Sequence, residues 1–331
     1  MTTTLTELDR ESRMGAVGTL TTDREVRRVS LADFEARRAE VTEQLWQAAT
    51  DIGFFQVVDH GITATDVDAA FAASQAFFAL PAEVKARYPM KKGLNAGWES
   101  RSQVRPSVGT PDQKESWQLT RPFMDGLWPA EEEVAGFRDT LLAFESRCWA
   151  VAMQVLSCFA DRLGMDRDFF AGVHDPSSPQ YRSCLRLIHY MAFPEDLLDT
   201  PGTWRAGAHT DFDCLTLLFQ RAGQDGLQVL PGAEAARPTD EGYAWTPVPA
   251  SDEAITCNVG DMLMRWSDDR LPSNFHRVAA PGRGDSLAPR YSMAFFAQAD
   301  ADALIQTPAG THEPMTAGDF LLQRIQANFR A

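Results

Sequence analysis

Apolar positions in the first half of the chain recur with helical spacing. From Val41 to Ile52 and from Val134 to Phe159 they return every three or four residues, which predicts two amphipathic helices. Gly164 follows the second pattern and is typical of a helix end. Between them, Thr65 with Asp68 three residues later predicts the start of another helix. The first half is therefore expected to be mainly helical.

The pattern changes to short β-favouring runs between about residues 183 and 297. Strands at this spacing, separated by turn residues, predict a double-sheet barrel or jelly roll that closes or covers its edges. The predicted fold class is thus mainly β with flanking helices around a jelly-roll core. The runs are Leu185–Phe193, Leu215–Phe219, Leu227–Leu230, Ile255–Val259, Met262–Trp266, Asn274–Ala279 and Arg290–Ala297, with an earlier one at Phe54–Val58.

The chain shows no internal repeat and no linker between its halves, so one domain is the simplest division. We expect a loose polar leader before it, since the first residues are Thr-rich and lack periodicity. The expected parts are a leader over 1–25 and a single domain over 26–331, with a helical part at about 26–180, the core at about 181–300 and a C-terminal helix at 317–329.

Periodicity fades between Lys91 and Pro129, where glycine, proline and single aromatic residues dominate. Long irregular segments in compact domains are often functional loops, so we expect this one to face a substrate. Trp98, Arg101 and Arg105 are its candidate substrate contacts, with the two arginines suited to an acidic small molecule.

Charge narrows the classes of partner. The 331 residues carry a formal net charge of -15 and a sequence pI of about 4.8. Nucleic-acid and anionic-membrane surfaces need clustered Lys and Arg, so neither is an expected partner. We expect a small-molecule substrate and a monomer or weak homo-oligomer.

The five cysteines are dispersed through apolar runs and form no Cys-x-x-Cys pair. This pattern favours reduced, buried thiols over a disulfide framework or a zinc site. The first residues lack a charged start followed by an apolar stretch, and no run of eighteen apolar residues occurs. We therefore expect a cytoplasmic location.

Three residues of the second half have the side chains of a metal site. His209 and Asp211 alternate along an extended segment, so they point the same way, and His276 belongs to another predicted strand. Two imidazoles and one carboxylate on one side of a first-row divalent metal leave open positions, as in non-haem iron oxygenases. Asp213 shares the face of Asp211 and is the rival carboxylate.

Arg290 and Ser292 share one face of a predicted strand. A guanidinium and a hydroxyl placed in this way can bind one carboxylate through paired, charge-assisted hydrogen bonds. The apolar run that follows indicates burial, and a buried arginine head group needs a partner. An anionic ligand is one candidate.

Several motifs, in order, resemble the isopenicillin N synthase-like branch of the iron and 2-oxoglutarate-dependent dioxygenases. The resemblance extends from about Val26 to Phe329. The motifs are Gly53–Ile62 (GFFQVVDHGI), His209–Asp211 followed by Leu215–Gln220 (LTLLFQ), Gly226–Val229 (GLQV), Asn258–Leu263 (NVGDML), His276–Val278 and Arg290–Ser292.

The resemblance implies a double-stranded β-helix that binds Fe(2+), 2-oxoglutarate and O2. It favours Asp211 over Asp213 and implies a metal site of His209, Asp211 and His276, which are also the catalytic residues. It further implies that the distal carboxylate of 2-oxoglutarate binds Arg290, Ser292 and Tyr190. One position departs from the pattern, because Ile188 stands where some relatives have asparagine.

The implied reaction couples oxidative decarboxylation of 2-oxoglutarate to hydroxylation, desaturation or cyclisation of a small molecule, in antibiotic or other specialised metabolism. Phe219, Trp266 and Phe296 are candidate walls of the substrate pocket. Two alternatives stay open on sequence grounds. One is an oxidase of the isopenicillin N synthase type that does not use 2-oxoglutarate, and the other is a non-catalytic metal-binding module.

Overall fold

Two facing β-sheets form the centre of the protein, and helices cover one of them. The computed structural model describes residues 20–21, 24–102, 112–198, 204–231 and 243–328. The predicted leader over 1–25 lies largely outside these residues, as does Arg105. Among the described residues, we find no helix with the length and hydropathy needed to cross a membrane.

The strands are β1 (Leu20–Thr21), β2 (Arg28–Ser30), β3 (Phe54–Val58), β4 (Gly97–Ser100), β5 (Lys114–Leu119), β6 (Cys184–Tyr190), β7 (Ala206–His209), β8 (Leu215–Phe219), β9 (Leu227–Leu230), β10 (Ala244–Pro247), β11 (Ile255–Val259), β12 (Phe275–Val278), β13 (Arg290–Ala297), β14 (Leu304–Ile305) and β15 (Met315–Thr316). The larger sheet has the order β2-β3-β11-β8-β13-β6-β5-β4, and the smaller sheet has the order β1-β10-β9-β12-β7. Strands β14 and β15 pair with each other.

The helices are α1 (Phe34–Ile52), α2 (Ala64–Phe78), α3 (Ala82–Lys85), α4 (Phe137–Leu163), α5 (Phe169–Gly172), α6 (Asp261–Trp266) and α7 (Ala317–Asn328). The long helix α4 ends where the sequence predicts, because Gly164 adopts φ 73° and its N–H caps the last turn. Helix α2 begins earlier than predicted. Thr63 caps it through a reciprocal capping box with Asp66, so the assignment of Thr65 as the cap was wrong by two residues.

Side-chain alternation gives the larger sheet two different faces. On β13, Met293 and Phe295 belong to the same buried cluster as the apolar side of α4, so this face is covered by helices. Ala294 belongs instead to a cluster with Ala206 and Val278 of the smaller sheet. This second, inner face lies between the two sheets. The predicted jelly-roll core with flanking helices is therefore confirmed.

Two segments differ from their predicted secondary structure. Met262–Trp266 was predicted as a strand, but it forms α6, since a short apolar run does not distinguish a buried strand from a buried helix. The stretch from Lys91 to Pro129 was predicted to be irregular, yet β4 and β5 form the edge of the larger sheet there. Strand β5 reads KESWQL, and its polar side chains hide the usual apolar signal.

Candidate active site

His209 and His276 face each other on neighbouring strands. They are direct partners in the antiparallel register of β7 and β12, and their ring centres lie 4.3 Å apart. Asp211 follows two residues after His209, and its Oδ1 lies 3.9 Å from His209 Nε2 and 3.7 Å from His276 Nε2. One ligand atom from each residue lies within 4.8 Å of the others. Such a group could hold one metal ion.

Backbone carbonyls orient both imidazoles. Nδ1 of His209 lies 2.8 Å from the oxygen of Gly207, and Nδ1 of His276 lies 3.4 Å from the oxygen of Asn274. Because a carbonyl oxygen only accepts, Nδ1 carries the proton in each ring. In this tautomer, Nε2 of each ring is unprotonated and its lone pair is directed towards Asp211. A histidine that binds a metal through Nε2 needs this tautomer.

The outer oxygen of Asp211 has two donors from the larger sheet. The Thr216 hydroxyl donates to Asp211 Oδ2 at 2.6 Å, and the Asn258 amide donates to the same atom at 2.9 Å. Thr216 and Asn258 are cross-strand partners in β8 and β11. They fix the carboxylate so that Oδ1 remains on the side of the two histidines.

The rival carboxylate, Asp213, lies outside this group. It is 2% exposed, and its Oδ2 lies 3.1 Å from the Thr216 hydroxyl. Burial, together with the nearby charge of Asp211, raises the pKa of Asp213 well above its usual range. Gly260 is packed so closely that a Cβ there would lie 2.3 Å from Asp213 Oδ1. The position of Asp213 is that of a packed support for the loop.

Arg290, Ser292 and Tyr190 form a second polar pocket on the inner face. Arg290 is 4% exposed and Ser292 is 1% exposed. Arg290 Nε donates to the Gln224 carbonyl at 2.8 Å, and its guanidinium carbon lies 5.0 Å from the ring centre of Tyr190, its partner across the sheet. Within the described part of the chain, Arg290 Nη1 and Ser292 Oγ are buried and have no hydrogen-bond partner.

Burial lowers the pKa of Arg290, because removing a guanidinium from water disfavours its charge. A buried cation with an unfilled donor beside an unfilled hydroxyl is costly unless an acceptor fills the pocket. The pocket therefore suits a carboxylate. A ligand with a second, chelating end could reach the metal group along the same inner face.

The structure does not bring Phe219, Trp266 and Trp98 to the inner face. The ring centre of Phe219 lies 5.0 Å from that of Phe144 in α4, because odd-numbered residues of β8 face the helices. The Trp266 ring packs edge-on against α5. Trp98 packs against the same helical core, and its indole donates to Glu115 at 2.8 Å.

Phe296 does lie on the inner face, next to Thr216 in the register of β8 and β13. Beside it is Arg186, which sequence reasoning missed, with Cζ 5.0 Å from the Phe296 ring centre. Arg186 Nη2 donates to Gln118 at 2.8 Å, whereas Nε is buried without a partner among the described residues. Arg101 lies at the exposed rim, where its guanidinium contacts Met191.

Two protein-family models match the chain. The model described as non-haem dioxygenase in morphine synthesis N-terminal matches residues 26–133, and the model of the 2OG-Fe(II) oxygenase superfamily matches residues 181–299. Among curated proteins, the chain is 34% identical to the proline hydroxylase buaE of Petromyces alliaceus over 301 residues, covering 86% of this chain and 90% of that protein.

Solved structures of similar proteins cover nearly the whole chain. A full-length Neurospora crassa protein, solved in complex with alpha-KG and thymine, superposes with a TM-score of 0.78 and 28% identity, covering 91% of this chain and 96% of that one. A putative 2OG-Fe(II) oxygenase family protein from Caulobacter crescentus superposes with a TM-score of 0.77 and 29% identity, covering 91% of this chain and 98% of that one. These relatives confirm the expected reaction class and its need for Fe(2+), 2-oxoglutarate and O2. The chain belongs to the 2OG-Fe(II) oxygenase superfamily and is a 2-oxoglutarate- and iron-dependent dioxygenase.

Proposed function

We propose that His209, Asp211 and His276 bind Fe(2+) and that Arg290, Ser292 and Tyr190 bind the distal carboxylate of 2-oxoglutarate. The observation that carries this assignment is a pair of buried donors, Arg290 Nη1 and Ser292 Oγ, that have no partner among the described residues and lie on the same inner face as the metal group. When bound, iron and 2-oxoglutarate supply the oxidising chemistry, with release of succinate and carbon dioxide. The protein supplies the orientation of both and a water-poor setting.

We further propose that the substrate is a small ring compound with a carbonyl or carboxylate oxygen. Phe296 offers an aromatic surface beside Thr216, and Arg186 offers a buried Nε next to it. The Gln118 bond holds the guanidinium in place, and Gln118 itself donates to Glu99 at 3.0 Å. A ring packed on Phe296 with its oxygen bonded to Arg186 would lie near the metal group.

The two kinds of relative define the test compounds. One is named a proline hydroxylase, and the other was solved with thymine. Both compounds are small rings with carboxylate or carbonyl oxygens. We therefore propose hydroxylation of a cyclic amino acid or a pyrimidine, in specialised metabolism.

The experiment measures succinate release by protein loaded anaerobically with Fe(2+) and then exposed to O2 and 2-oxoglutarate. The compounds are proline, pipecolate, thymine and uracil, each also followed by mass spectrometry. Succinate release stimulated by one compound, with an equal amount of oxidised product, supports the proposal. Product without succinate would instead indicate an oxidase, and tight iron binding without turnover of any small ring compound would contradict the proposed substrate class.

An arginine variant tests the proposed substrate contact. Arg186→Met should raise the KM of the active compound roughly 10- to 100-fold, as expected for loss of one hydrogen bond to a charged group. Arg182→Met is the matched control, because Arg182 lies over Phe123 and donates to the carbonyl of Tyr181, away from the metal group. Equal KM values in both variants would exclude Arg186 as a substrate contact.

Three broader proposals concern the whole chain. Residues 26–331 would act as one unit, which is supported by the packing of α4 on β8 and β13.

A cytoplasmic location is supported by five free, buried cysteines, and five thiols titrated in denaturant without reductant would agree with it. A monomer or weak homo-oligomer is supported by the net charge of -15, and light scattering at several concentrations tests it.

A further inference from the structure

A second arginine, Arg205, lies beside the pocket of Arg290. Its backbone N–H donates to the Val278 carbonyl at 3.1 Å, directly before β7 begins. Its Nη2 donates to the carbonyl of Ala288 at 3.2 Å, two residues before Arg290. The guanidinium carbon lies 5.9 Å from the ring centre of Phe193. These contacts bring the head group of Arg205 to the end of the inner face where Arg290 lies.

Arg205 shares the unusual state of Arg290. It is 5% exposed, and its Nη1 is buried without a hydrogen-bond partner among the described residues. Burial and the neighbouring charge of Arg290 both lower the pKa of Arg205. Within the described residues, neither arginine has a carboxylate within ion-pair distance. Two buried guanidinium groups therefore lie at the same end of the inner face, and each has one donor nitrogen without a partner among the described residues.

Such an arrangement is unfavourable in the ligand-free protein. Like charges repel more strongly where water is excluded, and each unfilled donor adds a desolvation cost. An anion between the two groups would remove both penalties. The hydrogen bond from Arg205 to Ala288 explains why the side chain is held there, but it leaves Nη1 unused.

We propose that Arg205 is a second positioning residue for the co-substrate, and that its Nη1 donates to the same distal carboxylate of 2-oxoglutarate that Arg290 binds. This proposal rests on the function proposed above. It predicts that the carboxylate is held by two guanidinium groups and the Ser292 hydroxyl.

The test compares two ligands of equal carbon number in anaerobic calorimetry with the Fe(2+)-loaded protein. 2-Oxoglutarate has the distal carboxylate, and 2-oxopentanoate lacks it but keeps the chelating end. Arg205→Met should weaken 2-oxoglutarate binding roughly 10- to 100-fold, as for a lost charge-assisted hydrogen bond. Binding of 2-oxopentanoate should change less than about twofold, since the missing partner is absent from that ligand. Arg205→Lys should restore part of the loss.

Three outcomes decide between the assignments. If Arg290→Met weakens 2-oxoglutarate binding and Arg205→Met does not, the role of Arg205 is overturned while the proposed function stands. If neither variant affects 2-oxoglutarate, the proposed co-substrate site itself is wrong. If Arg205→Met weakens both ligands equally, its effect is structural and the proposal fails.

A thermal measurement without ligand separates the two roles of the side chain independently of turnover. Methionine keeps the packing on Phe193 and removes the repulsion with Arg290, so the ligand-free Arg205→Met protein should unfold at a temperature no lower than the wild type. The stabilisation produced by 2-oxoglutarate should shrink. A large fall in the ligand-free unfolding temperature would show that the Ala288 bond is the main role of Arg205.

Discussion

The orientation of Asp211 depends on two hydrogen bonds that can be removed one at a time. Thr216→Val keeps the shape of the side chain and deletes the hydroxyl that donates to Asp211 Oδ2 at 2.6 Å. The Asn258 amide, at 2.9 Å from the same oxygen, remains. The variant therefore tests whether the carboxylate needs both donors to present Oδ1 to the metal.

The expected size follows from the buried setting of this bond. A hydrogen bond to a charged group contributes about 1.5–3 kcal/mol, and loss of a partner behind a metal ligand typically costs about 10- to 100-fold in affinity. One donor remains in Thr216→Val, and a carboxylate with fewer donors is a stronger base. The loss of metal affinity in this variant should therefore lie near the lower end of that range. We expect roughly tenfold weaker Fe(2+) binding, and roughly 100-fold when Asn258→Leu is added.

The assay is an anaerobic titration of metal-free protein with Fe(2+), repeated with Co(2+), whose absorption spectrum reports coordination geometry. Thr256→Val is the control, since Thr256 is also buried on β11 and accepts from Gln56 at 3.2 Å, away from the metal group. Its metal affinity should stay within about twofold of the wild type. Wild-type affinity in Thr216→Val, or an equal loss in Thr256→Val, would refute the supporting role of Thr216.

Two further perturbations test the metal group and its frame. Removal of iron with a chelator should lower the unfolding temperature by several degrees. The reason is that a metal present at about 100 times its dissociation constant stabilises the folded state by about 2.7 kcal/mol. An unchanged temperature would mean that the three ligands bind no metal. Gly53→Ala should destabilise the protein by about 2–4 kcal/mol in denaturant titration, since Gly53 has φ 66° and a Cβ would lie 2.5 Å from Asn274 Nδ2 and 2.7 Å from the Pro272 oxygen. Gly61→Ala, with φ 79° and open space around it, should cost only about 1 kcal/mol, and equal losses in the two variants would show that the Asn274 contact contributes nothing.

Predictions based on side-chain alternation were correct where the property depends on a single strand and not on its neighbours. The runs Leu215–Phe219 and Arg290–Ala297 have the bounds expected from their apolar pattern. The shared face of Arg290 and Ser292 follows from a period of two, whatever the rest of the fold does. The closeness of His209 to His276 does not follow from one strand alone, because it depends on the pairing of β7 with β12.

Predictions were wrong where the position of a side chain depends on which helices pack against its strand. Phe219 is apolar and lies in a strand of the core, but a single strand does not show which of its faces meets the helices. Trp266 was placed in a strand, whereas the Met262–Trp266 segment is helical and packs against α5. The contacts proposed for Arg186 and Arg205 were not predicted from the sequence for the same reason. Arg186 is half-buried and Arg205 is 5% exposed because elements distant in sequence cover them, whereas a charged residue in a sequence is ordinarily read as exposed.

The two halves of the site differ in how far the protein satisfies its own polar groups. Around Asp211, the described protein donors already occupy one carboxylate oxygen, and carbonyls orient both imidazoles, so the metal half is set before any ligand arrives. At the other end, Arg290, Ser292 and Arg205 each keep a buried donor that has no partner in the described part of the chain. In the proposed assignment, the first half binds a cation and the second binds an anion. A dicarboxylic keto acid such as 2-oxoglutarate satisfies both needs in one molecule, because its keto-acid end chelates a metal and its distal carboxylate accepts from the arginines. We propose that these arginine donors, which lack partners among the described residues, account for the choice of co-substrate, and that the contacts beside Phe296 set the choice of substrate.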